Sequence, residues 1–518
     1  MKKIRKYIMG VTSIALLMGC TGQFEDFNTN PYGPTTNDMS GDNVETGILI
    51  QGMIPAIVQG HQNNSQMIDQ MVGLEYGGHA SMIAPWQGTN FYTYNPAIGW
   101  YSSIFDTTMP QIYTNFFQIR NKTNSKGIIY AWAQIIRVAA SLKISDCYGP
   151  IPYSKINGND FAVKYDTMEE LYDAMFDDLD EAIKTLDAVV ASNADVSSLQ
   201  KFDYVYQGNF SKWVKYANSL KLRIAIRMAN VNNSLAQEKA EEAVNSASGV
   251  MTEAGDAAYS TYNDGMNPFY RAEYTWAFGG GEFRASANIT SYMNGYKDPR
   301  LSLYFDKDVN GKYNGVRNGI NQTAETFSKC QNYSRVSVTE TEPLLIMSAA
   351  EVCFLRAEGK LRGWNMGAGK TAKEWYEEGI KVSMDEKKAS LGNYLNSTDK
   401  PADYSDTNYG YSAMTTVCPK WNGDDFEENL ERILIQKWIA TYPSGWETWA
   451  DIRRTGYPKF FPIFNNLSSG IVDSNRGMRR LPYPQSEYNT NKENVTAAVA
   501  MLGGLDNAAT DLWWAKKQ

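Results

Sequence analysis

Cleaving a glycosidic bond takes two carboxyl groups facing each other across a cleft, about 5–5.5 Å or about 6.5–9.5 Å apart according to stereochemistry. Paired acids of this chain include Asp177-Asp178, Glu241-Glu242, Asp424-Asp425 and Glu427-Glu428. Adjacent residues on a helix cannot be aimed across a cleft, so these read as solvated helix faces. Only two histidines occur, His61 and His79, which leaves little for a His-based metal cluster or a Ser-His-Asp relay. Asn422, Asp424 and Asp425 lack the EF-hand spacing for calcium. Gly279-Gly280-Gly281 lacks the lysine context of a phosphate loop. Arg453 and Arg454 could clamp an anion, yet carboxylates as near as Glu447 and Asp451 offer them partners. These residues predict no catalysis, no metal and no cofactor.

Aromatic surface is better supplied. Aromatic residues make up 13% of the chain, with 33 Tyr and 13 Trp. Two stretches gather rings outside any helical period. One, around Pro85–Pro96, holds Trp86, Gln87, Asn90, Tyr92 and Tyr94; the other, within 255–285, holds Tyr270, Arg271, Tyr274, Trp276 and Phe278. A sugar presents an apolar C–H face that a Trp or Tyr plane can cover, and a rim of hydroxyls that Asn, Gln or Arg can bond. Both kinds of side chain occur in each stretch. The plainer alternative is that the rings only pack loops onto a scaffold. The candidate ligand residues are Trp86, Asn90, Tyr92, Tyr94, Tyr270, Trp276 and Phe278.

The elements that must hold such loops are helical. Leu430, Ile433, Leu434, Lys437, Trp438 and Thr441 fall on one face of a helix. Pro443-Ser444-Gly445 stops it, and a second short helix carries Trp446, Trp449 and Ile452 on one side before Gly456-Tyr457-Pro458. This is an αα-hairpin with three tryptophans to bury. Elsewhere helical periodicity runs through 44–58, 67–74, 100–119, 127–147, 210–230, 235–247 and 346–364. Thr167…Glu170 and Thr371…Glu374 are capping boxes that open two more helices.

The first 19 residues have a basic n-region (Lys2, Lys3, Arg5, Lys6) and a short apolar run, Ile8 to Met18, ending in Leu-Met-Gly-Cys20. That pattern reads as a signal peptide and resembles a bacterial lipobox, with Cys20 acylated as the mature N-terminus; the alternative is an ordinary cleaved signal peptide with an incidental cysteine. Its removal takes four positive charges and moves the formal charge from −8 to −12. An acidic mature chain is a poor partner for nucleic acid. No later stretch has eighteen uninterrupted apolar residues, so membrane attachment falls to the lipid alone. The polar, turn-rich residues 21–36 read as a tether, and 37–518 as one domain. Cys147, Cys330, Cys353 and Cys418 allow three full disulfide pairings.

Several separated motifs resemble one family in the right order. They are FEDFNTNP behind Cys20, DCYGPIPYS at 146–154, DPRL at 298–301, MSAAEVCFLRAEGKLRGW from Met347, QKWIA…GWETWADIRRTGYP in the hairpin, RRLPYP from Arg479, and the closing Leu512-Trp513-Trp514. The chain resembles the SusD/RagB-like outer-membrane lipoproteins, SusD-like branch. That resemblance implies a mainly α fold, a tetratricopeptide-like helix-pair scaffold with long ligand-binding loops. It also implies a surface lipoprotein that captures oligosaccharides, or peptides in some branches, for a TonB-dependent transporter of the SusC type. A lipid-anchored glycoside hydrolase is the rival from another class.

Overall fold

The computed structural model describes residues 43–84, 88–160, 162–262, 265–275, 281–320, 328–367, 369–405 and 410–516. Cys20 with its signal and tether, and Trp86, Gln87, Trp276 and Phe278, lie outside the described residues.

The fold is mainly helical, and helices pack on their neighbours in sequence. Helices α1 (Val44–Met53), α2 (Ser103–Thr123), α3 (Gly127–Tyr148), α4 (Met168–Ala191), α5 (Phe210–Arg227) and α6 (Asn233–Asn245) each lie against the next. After α7 (Ala287–Tyr296) a second group follows, α8 (Ala349–Leu361), α9 (Ala372–Lys387), α10 (Phe426–Ala440) and α11 (Trp446–Thr455), joined to the first through α5 and α8. Local sequence sets where they start. Thr167 accepts the Glu170 N–H at 3.2 Å while the Glu170 carboxylate accepts the Thr167 N–H at 2.9 Å. Thr371 and Glu374 repeat the exchange at the head of α9. Each box satisfies donors that a helix start otherwise leaves open. α3 is the described helix long and apolar enough to cross a membrane, but most of it is buried within this protein.

The hairpin α10–α11 is more deeply set than an amphipathic stripe requires. Every residue from Asn429 to Ala440 is buried, the charged ones included. Helical periodicity marks one apolar face; the other face is buried against partners that periodicity cannot register. Lys437 Nζ meets Asp451 at 2.9 Å, and Gln436 accepts from Arg300 at 2.9 Å. Arg300 in turn grips Asp298 at 2.6 and 2.9 Å, which gives the DPRL turn its rigidity. Trp438 donates to the Gly77 carbonyl and Trp449 to that of Met478, both at 2.8 Å. Gly445 is required where the hairpin crosses the 73–77 backbone, since a Cβ there would stand 1.9 Å from the Gly73 carbonyl oxygen.

Strands are few and short. β1 (Ala80–Met82) pairs antiparallel with β3 (Phe283–Ala285), and β2 (Ala258–Ser260) with β4 (Leu344–Met347). Cys147, Cys330, Cys353 and Cys418 are free thiols, so the permitted disulfides are not formed.

Candidate functional site

The β1–β3 ribbon brings the two aromatic stretches together. Ala80 pairs with Ala285, Ser81 with Arg284 and Met82 with Phe283. The Ile83 N–H donates to the Glu282 carbonyl at 2.8 Å, extending the pairing by one step. Because the strands are antiparallel, the chain leaving β1 toward residue 96 and the chain entering β3 from residue 270 diverge from the same end. Between Pro96 and Tyr270 lie about 173 residues of sequence, and six paired residues close that gap. Each strand follows an unusual helical segment with i→i+5 hydrogen bonds, Gln66–Leu74 before β1 and Arg271–Thr275 before β3. Such widened turns recur at functional sites.

The described candidate residues take different positions there. Asn90 and Tyr92 are buried, Tyr92 on a single tight turn. The Asn90 backbone exchanges bonds with Asn95, and Gly88 accepts from the Asn95 amide at 2.7 Å. These two residues hold the loop in shape. Tyr94 adopts a left-handed backbone, φ 60°, and sets its ring edge-on to Tyr76 at 6.1 Å. Tyr270 is half-buried and stacks on Tyr274, ring centres 4.8 Å apart and planes within 17°. Arg335 lies over Tyr274, its guanidinium carbon 3.8 Å from that ring's centre. Arg335 escapes a sequence reading because it stands alone in SRVSV, with no aromatic cluster or spacing to mark it.

Beneath the ribbon lie three buried carboxyl groups. Glu75 accepts from the Met82 N–H at 2.8 Å and from the Asn318 amide at 2.7 Å. Glu273 accepts from the Phe283 N–H at 2.8 Å, and Glu282 from the Gln66 amide. Burial pushes all three up, Glu75 and Glu282 to about 7 and Glu273 to about 8, because losing water costs the charged form more than these bonds return. They brace the two strands and the 318 segment against the helices.

Behind Tyr94 opens a cleft of about 570 Å³, with Tyr76, Trp449, Phe460, Arg453 and Asn318 in its walls. The 460–478 loop closes one side, its Leu467 N–H donating to the Thr93 carbonyl at 2.9 Å and its Phe464 N–H to that of Asn318 at 3.1 Å. The cleft therefore joins the aromatic loop to the hairpin.

The hairpin arginines serve the scaffold. Arg454 binds both Glu358 oxygens, at 2.6 and 2.9 Å, and Asp451 at 3.0 Å. Arg453 bonds the carbonyls of Trp449 and Arg479, each at 3.1 Å. Glu447 pairs with Arg227 at 2.6 Å instead. The acid pairs face solvent as expected, Asp177, Glu242, Asp424, Asp425 and Glu427 exposed and Asp178, Glu241 and Glu428 partly so, and several also make structural contacts. Asp178 meets Arg137 at 3.1 Å, Glu242 meets Lys221 at 2.7 Å, and Asp425 caps α10 through the Glu428 N–H at 2.7 Å. Burial holds the His79 imidazole down to about 4, against the opposing pull of its 2.9 Å hydrogen bond with the Trp438 carbonyl. Among the described residues no three His, Cys, Asp or Glu side chains come together as a metal would need.

Residues 26–515 match the SusD-like family, described as SusD and RagB outer membrane lipoproteins. No curated protein matches the chain. Solved structures do. A SusD homolog from Bacteroides uniformis is 41% identical, with 91% of this chain and 99% of that one covered and a TM-score of 0.86. A chitin-binding SusD homolog from Flavobacterium johnsoniae is 35% identical, over 92% and 99%, with a TM-score of 0.87. A SusD-like protein from Bacteroides thetaiotaomicron is 39% identical, over 91% and 99%, with a TM-score of 0.85.

Proposed function

The chain belongs to the SusD-like family of SusD and RagB outer membrane lipoproteins, and on that premise we propose that it captures oligosaccharides at the cell surface. It is anchored by a lipid on Cys20, with residues 37–518 as one binding domain, and it hands its cargo to a SusC-like TonB-dependent transporter. The observation that carries this reading is the β1–β3 ribbon, which sends both aromatic stretches out from one end. Trp86, Trp276 and Phe278 are proposed as stacking planes, together with Tyr94 and the Tyr270–Tyr274 pair. Asn90 and Tyr92 keep the first loop in register.

A glycan is favoured over a peptide because rings and amide or guanidinium donors are interleaved, matching a sugar's two kinds of surface. The chitin-binding relative supports the same choice. Turnover is not part of the proposal. Glu273 and Glu282 are buried and engaged with backbone or amide donors, and Glu75, which borders the cleft behind Tyr94, has its two oxygens taken by the Met82 N–H and the Asn318 amide, so none is set to protonate a glycosidic oxygen. The test is a binding screen of the soluble protein, starting after Cys20, against glycans and peptides. Peptide binding without glycan binding would overturn the reading, as would cleavage products from any oligosaccharide.

A further inference from the structure

We infer that this surface selects an acidic glycan, with Arg335, beside the Tyr270–Tyr274 stack, taking the carboxylate of a uronic acid. The inference rests on the glycan reading above and narrows its ligand class.

Arg335 is placed as a reader and is not used up by the scaffold. Its backbone is fixed, the carbonyl accepting the Asp306 N–H at 2.9 Å. Its guanidinium carbon sits 3.8 Å from the Tyr274 ring centre. Tyr274 is itself held, donating its hydroxyl to the Val336 carbonyl at 2.9 Å. Among the described residues the Arg335 side chain makes no hydrogen bond, and it is 28% exposed. Guanidinium is a planar fork of donors with no acceptor, and its match is a carboxylate held by two parallel bonds. A fork already stacked on a fixed ring loses little freedom in binding one.

The charges around it leave that cation uncancelled. Its nearest carboxylate is Glu273, 3.8 Å from Nε, and the same oxygen is shared with Arg284 at 3.7 Å. Glu273 is held up near 8 by burial, so at neutral pH it is mostly protonated. Two guanidinium groups thus face one largely neutral carboxyl. The remaining acid on this side, Asp306, is exposed and lies 3.4 Å from the Tyr274 hydroxyl. Neutral sugar hydroxyls could accept from Arg335 as well, but a partly desolvated cation gains more from a carboxylate.

The experiment is calorimetric titration of the soluble protein with matched oligosaccharides: oligogalacturonate, alginate fragments and glucuronate-bearing xylan fragments, each beside its carboxyl-reduced form. The acidic member of at least one pair should bind about tenfold tighter or more, with a preference that shrinks as salt rises. Arg335→Gln should bring the acidic ligand down to about the affinity of its reduced partner, with a much smaller loss for that partner and an unchanged melting temperature. Arg335→Lys, which keeps the charge and loses the fork, should recover part of the preference. Equal binding of acidic and reduced forms by the wild-type protein would overturn the inference without any variant. An equal loss for both forms in a folded Arg335→Gln protein would also overturn it. Either result leaves the glycan reading standing. That reading fails, and this inference with it, if no oligosaccharide of either kind binds.

Discussion

Glu358, under the hairpin, and Glu273, under the ribbon, are both buried carboxyl groups with two guanidinium neighbours, and they sit on opposite sides of the ordinary carboxylate range. Arg454 and Arg362 reach Glu358 at 2.6 and 2.8 Å through direct hydrogen bonds and hold it down near 2. Arg284 and Arg335 stop 3.7 and 3.8 Å from Glu273, which rises to about 8. Burial disfavours charge at both sites; only bonded contact outweighs it. Asp146 shows the intermediate case, raised to about 6 with Arg227 at 3.3 Å. Arg454 is closed on its partners, whereas the ribbon leaves Arg335 a fork to offer. Binding surfaces differ from cores in that respect: their donors are positioned but unmatched.

The contrast breaks most sharply by removing one partner on each side. Arg454→Met leaves Glu358 short of its bidentate partner in the interior and should cost roughly 3–5 kcal/mol in chemical denaturation. Arg335→Met should change stability by no more than about 0.5 kcal/mol. Equal losses would mean that the two sites are built alike.

Ring truncation sharpens the same difference. Trp438, 1% exposed, is surrounded by Tyr292, His79 and Phe460. Trp438→Ala should destabilise by about 3–5 kcal/mol, as large-to-small core changes do. Tyr270→Ala, at a half-buried ring, should melt close to wild type. A Trp438→Ala protein of normal stability that had lost ligand binding would show the hairpin to be site and not scaffold.

A smaller effect separates the regions by pH. Glu358 and Glu447 are lowered to about 2, so their contribution is present above the unfolded value near 4.5 and is lost only as pH falls toward 2. Glu273 is raised to about 8, so the folded state binds its proton more tightly; that contribution is full below 4.5 and is lost as pH rises through 8. Between about pH 6.5 and about pH 8.5 the hairpin carboxylates are therefore flat and the ribbon loses stability. Melting temperature should fall over that window, and Glu273→Gln should reduce the slope. An unchanged slope would return Glu273 to the ordinary range.

Much of the scaffold is legible in the sequence because its rules are local. Capping boxes are spelled by residues three apart, and α10 by a 3.6-residue period. What period cannot show is that the polar face of α10 is buried too, since Arg300 and Asp451 come from other elements. The aromatic stretches stand out by composition. Their meeting at one ribbon does not, because strands of three residues are too short to carry an alternation. Arg335 is invisible for the same reason, being defined by a ring about sixty residues upstream.

The central claim is that the loops leaving this ribbon form the ligand surface. Calorimetric titration of Trp86→Ala and Trp276→Ala, with whichever oligosaccharide the wild-type protein binds, tests it most directly. The account predicts a loss of about 1–3 kcal/mol in each, or roughly 5- to 150-fold in affinity, at an unchanged melting temperature. Wild-type affinity in both variants would contradict it and put the ligand elsewhere on the protein.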